Sequence, residues 1–149
     1  MKEEIIKMDH RLIRFFKYHN NSIARVGLFV IFFWFGILKV LSLSPATPLV
    51  SALYEKIFGL YGMNAFMIGF GLFEVLIGVL FLIKGAERVV LPLLAIHMFS
   101  TFLPLILLPG LAWTDVFVPT LEGQYIIKNL ALIVAAVSVG AHLHELKKV

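Results

Sequence analysis

The chain predicts an all-α fold: a four-transmembrane-helix bundle with an N-terminal amphipathic helix and a short outer interfacial helix. Three observations carry this. Of 149 residues, 60% are hydrophobic and 15% charged, with a mean hydropathy of +0.96, whereas soluble domains are roughly 45–50% apolar and about 25% charged. Four apolar stretches, at about 22–43, 63–83, 89–108 and 125–143, each supply the roughly 20 residues needed to cross a bilayer core. The basic residues are segregated to one set of connections between those stretches. One membrane domain accounts for the whole length.

Residues 1–21 come first. Ile5, Met8, Leu12, Phe15, Phe16 and His19 recur at spacings of three and four, and Lys7, Arg11, Arg14 and Lys17 form a second stripe. That pattern fits an amphipathic helix lying at an anionic membrane surface, or equally a basic arm that sets topology. The first span, 22–43, carries only Arg25 near its start and Lys39 near its end, and is too long and too late for a cleaved signal peptide. Ser44-Pro45-Ala46-Thr47-Pro48 stops it. Thr47 as cap with Pro48 in the first turn then opens a short helix, with Leu49, Leu53, Ile57 and Leu60 on one face and an end near Gly59 or Gly62.

The second span, 63–83, contains one charge, Glu74, near its centre. A helix places that carboxylate roughly 16 Å from either end, out of reach of both surfaces. Lys84-Gly85-Ala86-Glu87-Arg88 is a tight turn. The third span, 89–108, has His97 near its middle, and Pro104 deprives the Ser100 carbonyl of its helical donor, which predicts a bend there. Residues 109–124 are expected to be a loop, with Thr120 capping the fourth span, 125–143, which ends in His142, His144, Lys147 and Lys148.

Orientation follows from the basic residues. Ten lie at one side: Lys2, Lys7, Arg11, Arg14, Lys17, Arg25, Lys84, Arg88, Lys147 and Lys148. The opposite loops hold Lys56, while Lys39 and Lys128 fall inside spans. The positive-inside rule places both termini in the cytoplasm. Trp113, Tyr54, Tyr61 and Tyr125 then sit at the outer boundary. The net charge of +4 therefore reports topology, and nucleic acid is not an expected partner; the lipid bilayer is. The absence of cysteine excludes thiolate metal sites, iron–sulfur clusters and covalent haem held by this chain alone. No phosphate loop, nucleophile elbow or HExxH motif is present, so soluble-enzyme chemistry has no support.

Five polar residues are candidates for a site: Lys39, Glu74, Lys128, Asn129 and His97. Helical side chains lean toward their own N-terminus, so Lys39 on an outward-running helix and Glu74 on an inward-running one lean toward each other. A buried Lys39–Glu74 pair is expected, as a register device or a functional one. Gly71, Glu74 and Gly78 share one face and Gly36 shares Lys39's, so these faces are expected to pack. Lys128 leans toward the outer surface and toward Asp115 or Glu122, with snorkelling its expected state, and the Asn129 amide is expected to find a cross-helix hydrogen bond rather than a ligand. His97 is expected to be a core histidine bonded to a neighbouring carbonyl, with a proton relay or a quinone headgroup contact as the functional alternative. Bis-histidine haem within one chain is disfavoured, because His10, His19, His142 and His144 all fall at the cytoplasmic side; a haem shared between subunits stays open.

Phe33-Trp34-Phe35-Gly36-Ile37-Leu38-Lys39, Phe73-Glu74-Val75-Leu76-Ile77-Gly78 and Gly123-Gln124-Tyr125-Ile126-Ile127-Lys128-Asn129 together resemble the DoxX-like membrane proteins, with the reactive-chlorine-resistance inner-membrane group nearest. The resemblance runs from about residue 22 to residue 140. It departs from that group in a short first outer loop and in having Asn129 where an acidic residue is usual. It implies a multi-pass protein of the bacterial inner membrane, a membrane subunit or anchor of a redox or oxidative-stress system. Lys39, Glu74, Lys128 and Asn129 would be its site residues, in an outward-opening pocket for a quinone or a small anion. A redox protein partner or a homo-oligomer would complete it. On its own the chain is not expected to be an enzyme; with a partner it would be a quinone-linked oxidoreductase subunit. A small transporter, or a non-enzymatic scaffold recruiting partners through its basic arm, is the alternative.

Overall fold

In the computed structural model, which describes residues 2–141 and Leu143, the first helix is longer than the hydropathy pattern implies. α1 runs unbroken through Lys2–Val40, about 58 Å at 1.5 Å per residue. The expected boundary near residue 21 separating a surface-lying arm from the span is therefore absent. The reason is local: Asn20, Asn21 and Ser22 include neither glycine nor proline, so nothing interrupts the i to i+4 ladder where the side chains change from amphipathic to apolar. The amphipathic half continues the axis of the span as one rod.

α1 ends at Val40, where Ser42 takes a positive φ of 58°. α2 (Thr47–Phe58) follows, with Ala46 in the cap position and Gly59, φ 84°, closing it. Thr47, expected as the cap, lies one residue inside, and its hydroxyl donates to the Ser44 carbonyl at 2.8 Å. No residue of α2 is buried, which fits a helix at the mouth of the bundle. α3 (Met63–Leu82) matches the expected second span. Its reversal into α4 (Glu87–Phe102) needs a left-handed residue, supplied by Gly85 at φ 93°.

Pro104 divides the third span. Because it has no N–H, the Ser100 carbonyl instead accepts from Leu103, at 3.3 Å, and α4 gives way to the short α5 (Pro104–Leu107). Pro109 orphans the Leu105 carbonyl in the same way, and the Trp113 indole N–H donates to it at 2.9 Å. The stretch expected to be a loop is more ordered than that. It holds α6 (Pro109–Ala112) and a two-stranded antiparallel hairpin, β1 (Trp113–Asp115) with β2 (Val118–Pro119). Thr120 does cap the last helix, its Oγ1 accepting from the Gly123 N–H at 3.1 Å, and α7 (Leu121–Gly140) consequently starts four residues ahead of the apolar run. His142, His144, Lys147 and Lys148 lie outside the described residues.

Among the described residues four helical stretches, α1, α3, α4–α5 and α7, are each long and apolar enough to cross a membrane, and the chain is a membrane protein. Its outward faces carry large apolar side chains such as Leu72, Ile96, Phe99 and Val134, all exposed. In water such faces are a liability, whereas in lipid they are the solvent-matched surface. The core consists of Leu28, Phe32, Ile77, Phe81, Val90, Leu94, Met98, Ala136 and Val139. It forms the middle of three layers. Beneath it lies a polar layer around Arg25, and above it a second one around Lys39, about 21 Å further along α1.

α1 and α3 are in backbone contact through glycine, on the faces the sequence pairs. A Cβ at Gly36 would lie 2.6 Å from the Gly71 carbonyl oxygen, and one at Gly78 would lie 2.8 Å from the Phe33 amide nitrogen. Dispersion and close backbone approach, rather than a hydrophobic drive, hold such helices together in lipid.

Candidate functional site

The upper polar layer is built from three helices. Lys39 occupies the last turn of α1, where the helix carbonyl ends favour a cation. Glu74 lies on α3 between the two contact glycines, so α1 comes close enough for the two side chains to meet. Their separation is 2.6 Å from Nζ to Oε2. The expected pair is present, and it is enclosed, each residue only 5% exposed.

His97 on α4 completes the group. Its Nε2 lies 3.0 Å from Glu74 Oε1, and the residue is 4% exposed. The expected neighbouring-carbonyl bond for this imidazole is thus replaced by a carboxylate on another helix. Both Glu74 oxygens are engaged, one by an ammonium and one by an imidazole N–H, so the carboxylate is not left as an uncompensated charge in the bundle interior. A carboxylate facing Nε2 assigns the neutral ring's proton to that nitrogen and leaves Nδ1 as an acceptor. Thr101 Oγ1 lies 3.4 Å from Nδ1, and Ser100 and Thr101 donate to the His97 carbonyl at 2.7 and 2.9 Å. These hydroxyls tie down the turn that Pro104 weakens.

The surroundings are aromatic. Phe32 and Phe70 meet the imidazole edge-on at centroid distances of 5.3 and 5.1 Å, and Phe73 lies at 6.1 Å. Lys39 Nζ sits 5.7 Å from the centre of the Phe70 ring, within range of a cation–π contact. The result is a run of polar atoms, Thr101 to His97 to Glu74 to Lys39, walled by rings. Within it, Glu74 can exchange a proton with either of its neighbours, Lys39 or His97, without water.

Lys128 and Asn129 do not join this group. Lys128 is exposed and lies over the Tyr125 ring, 5.2 Å from its centre, rather than in an ion pair with Asp115 or Glu122. Tyr125 is one turn back on the same helix, and its ring offers a nearer partner than a carboxylate across a loop. Asn129 is half-buried, and among the described residues its amide makes no cross-helix hydrogen bond. An outward-opening pocket shared by Lys39, Glu74 and Lys128 is accordingly not the arrangement found, because the first two are sealed inside the bundle and the third lies on its surface.

The lower polar layer had no counterpart among the candidates. Arg25 is 8% exposed. Its Nη1 donates to the Phe81 carbonyl at 3.0 Å and approaches the Ile83 carbonyl at 3.5 Å, its Nε donates to Asn21 Oδ1 at 3.2 Å, and its Nη2 pairs with Glu87. One guanidinium therefore caps the end of α3 and locks the start of α4 to α1. In sequence Arg25 is indistinguishable from any positive residue flanking a span; the acidic Glu87 in the only short turn on that side was the available signal.

Compared with protein-family models, curated proteins and solved structures, the chain matches none.

Proposed function

We propose that this chain is the membrane subunit of a redox or oxidative-stress system in the bacterial inner membrane, allied to the DoxX-like proteins. In this reading the Lys39–Glu74–His97 group exchanges protons with a quinone-type headgroup. The single observation that supports it most is a carboxylate shared between a lysine and a histidine from three helices, inside a membrane bundle and against three phenylalanine rings. Ionisable groups in that setting are costly and are usually tied to proton or substrate pathways. A headgroup that takes up two electrons also takes up two protons. Here the Lys39 ammonium and the Glu74 carboxyl group, once protonated, each hold one proton and return to amine and carboxylate on donation, with the His97 imidazole orienting the carboxyl group. The electrons come from a partner redox protein. Because the triad is enclosed, admission of a headgroup requires its Phe70 wall to move.

Both termini face the cytoplasm in this reading, supported by the distribution of lysine and arginine. The quinone reading is tested by extracting the full chain directly into lipid nanodiscs and measuring quinone per chain in wild type and Glu74→Gln. Retained quinone that is lost in the variant is the expected result. A wild type that retains none, and whose presence leaves quinone reduction by its membranes unchanged, rejects it.

A further inference from the structure

At the opposite end of the bundle from the triad, α1 and the α3–α4 turn line an open cleft of about 400 Å³, bordered by Lys17, Tyr18, Asn21, Ser22, Arg25, Lys84 and Glu87. We propose that it binds the phosphate of an anionic phospholipid headgroup, held between Lys17 and Lys84. This site is separate from the triad and independent of the redox reading.

The assignment rests on where the cavity is and on which of its charges are already spent. It lies where α3 ends at Leu82 and α4 begins at Glu87, the level at which apolar spans give way to headgroups. α1 does not stop there. Because the helix continues, Lys17, Asn21 and Arg25 stack on one face at four-residue spacing and extend the wall past the end of α3. Had the arm folded away at residue 21, Lys17 would not face the Lys84 turn.

Arg25 and Glu87 are consumed by each other, by the Phe81 carbonyl and by Asn21. They therefore form a rigid, near-neutral floor. Lys17 and Lys84 are different: both are exposed, and among the described residues neither makes a hydrogen bond or ion pair. Two uncommitted ammonium groups over a neutralised floor, beside the hydroxyls of Tyr18 and Ser22, suit a tetrahedral anion, for which lysine acts as a point charge. The volume lies in the range of small-ligand sites and accommodates a glycerophosphate unit. The acyl chains need a way out beside it, and the exposed Val26, Ile83 and Val89 flank the cavity residues with such an apolar surface. A basic recess between helices at the membrane boundary is the recurring geometry of acidic-lipid sites.

The test is native mass spectrometry of the full chain released from detergent micelles, titrated with phosphatidylglycerol, phosphatidylcholine or inorganic phosphate. Phosphatidylglycerol should be retained in preference to phosphatidylcholine. Lys17→Gln and Lys84→Gln should each weaken retention about fivefold and the double variant roughly 25-fold. Lys7→Gln with Lys56→Gln, which removes the same charge away from the cavity, should leave it unchanged. The proposal fails if the cavity double variant retains the lipid like wild type, or if the control double variant loses it equally, since the attraction is then diffuse. Inorganic phosphate binding at the two lysines with no preference between the lipids would assign the site to free phosphate and overturn the lipid source. Both cavity lysines are exposed, and a melting temperature matching wild type verifies that the variants fold.

Discussion

Lys39→Met and Glu74→Gln provide a double-mutant cycle on the contact that joins α1 to α3. In the native bundle the carboxylate accepts from Lys39 at 2.6 Å and from His97 at 3.0 Å. Lys39→Met leaves the carboxylate with the imidazole alone. Glu74→Gln leaves the ammonium facing only an amide and the Phe70 ring, 5.7 Å away. Removing one partner of a buried pair typically costs about 3–5 kcal/mol, and removing the second adds little, because the charge that the first change stranded goes with it. With each single variant at about 3 kcal/mol and the double variant at about the same, the coupling is about 3 kcal/mol, the upper end for residues in contact. The assay is reversible unfolding of the full chain in mixed micelles, followed by loss of helical circular dichroism as the denaturing detergent fraction rises. Single effects that add to within about 0.5 kcal/mol would show that the two charges do not stabilise one another, and the account of the upper layer would fall.

Four further outcomes follow from the packing and the topology. Gly71→Ala places a Cβ 2.7 Å from the Gly36 carbonyl oxygen and should destabilise by about 1–3 kcal/mol; Gly69→Ala, with open space at its Cβ, is the control in the same unfolding assay. Arg25→Leu strands Glu87 and the Phe81 carbonyl and should cost about 3–5 kcal/mol. Arg25→Lys should not restore it, because an ammonium cannot reach three partners in the fork geometry. Gly85→Ala forces an alanine to φ 93° and should cost about 1–2 kcal/mol, read as a lowered thermal midpoint. Since the chain has no cysteine, single replacements Lys84→Cys and Leu60→Cys should react with a membrane-impermeant maleimide from opposite faces of the membrane, and the proposed orientation has Lys84→Cys react from the cytoplasmic side alone.

The Lys39–Glu74 contact was legible because it depends on two things a sequence displays: the depth of a residue along its span and the direction in which that helix runs. Glycines on the same faces made close approach feasible. His97 was legible as a deep polar residue but not as the third member. Which way it faces depends on the rotation of α4 about its own axis, and that rotation is set by packing against α3 and by the break at Pro104. Its Phe32 and Phe70 neighbours come from two other helices, and no local pattern names them.

Arg25 illustrates the opposite limit. A positive residue at the end of a span satisfies the topology rule whether it snorkels or turns inward, so its role as a cap on α3 became visible only with α3 in place. The hairpin at 113–119 was hidden for a different reason. Its strands are three and two residues long, too short for a period-two pattern. The continuity of α1, by contrast, was legible in principle. A change in hydrophobic pattern is not by itself a boundary, and the backbone there contains no residue that stops a helix.

The sequence alone determined that this is a membrane protein, that it has four crossings, and how its charge is divided between the two ends. These properties follow from transfer free energies and backbone propensities, which sum over neighbouring residues along the chain. Tertiary structure decided that the interior carboxylate is shared with a histidine, that Lys128 and Asn129 stand apart from it, and that an arginine and two lysines frame a recess at the membrane boundary. The contacts that build these groups join residues 23 to 62 positions apart, and in lipid they are selected by helix rotation and close packing.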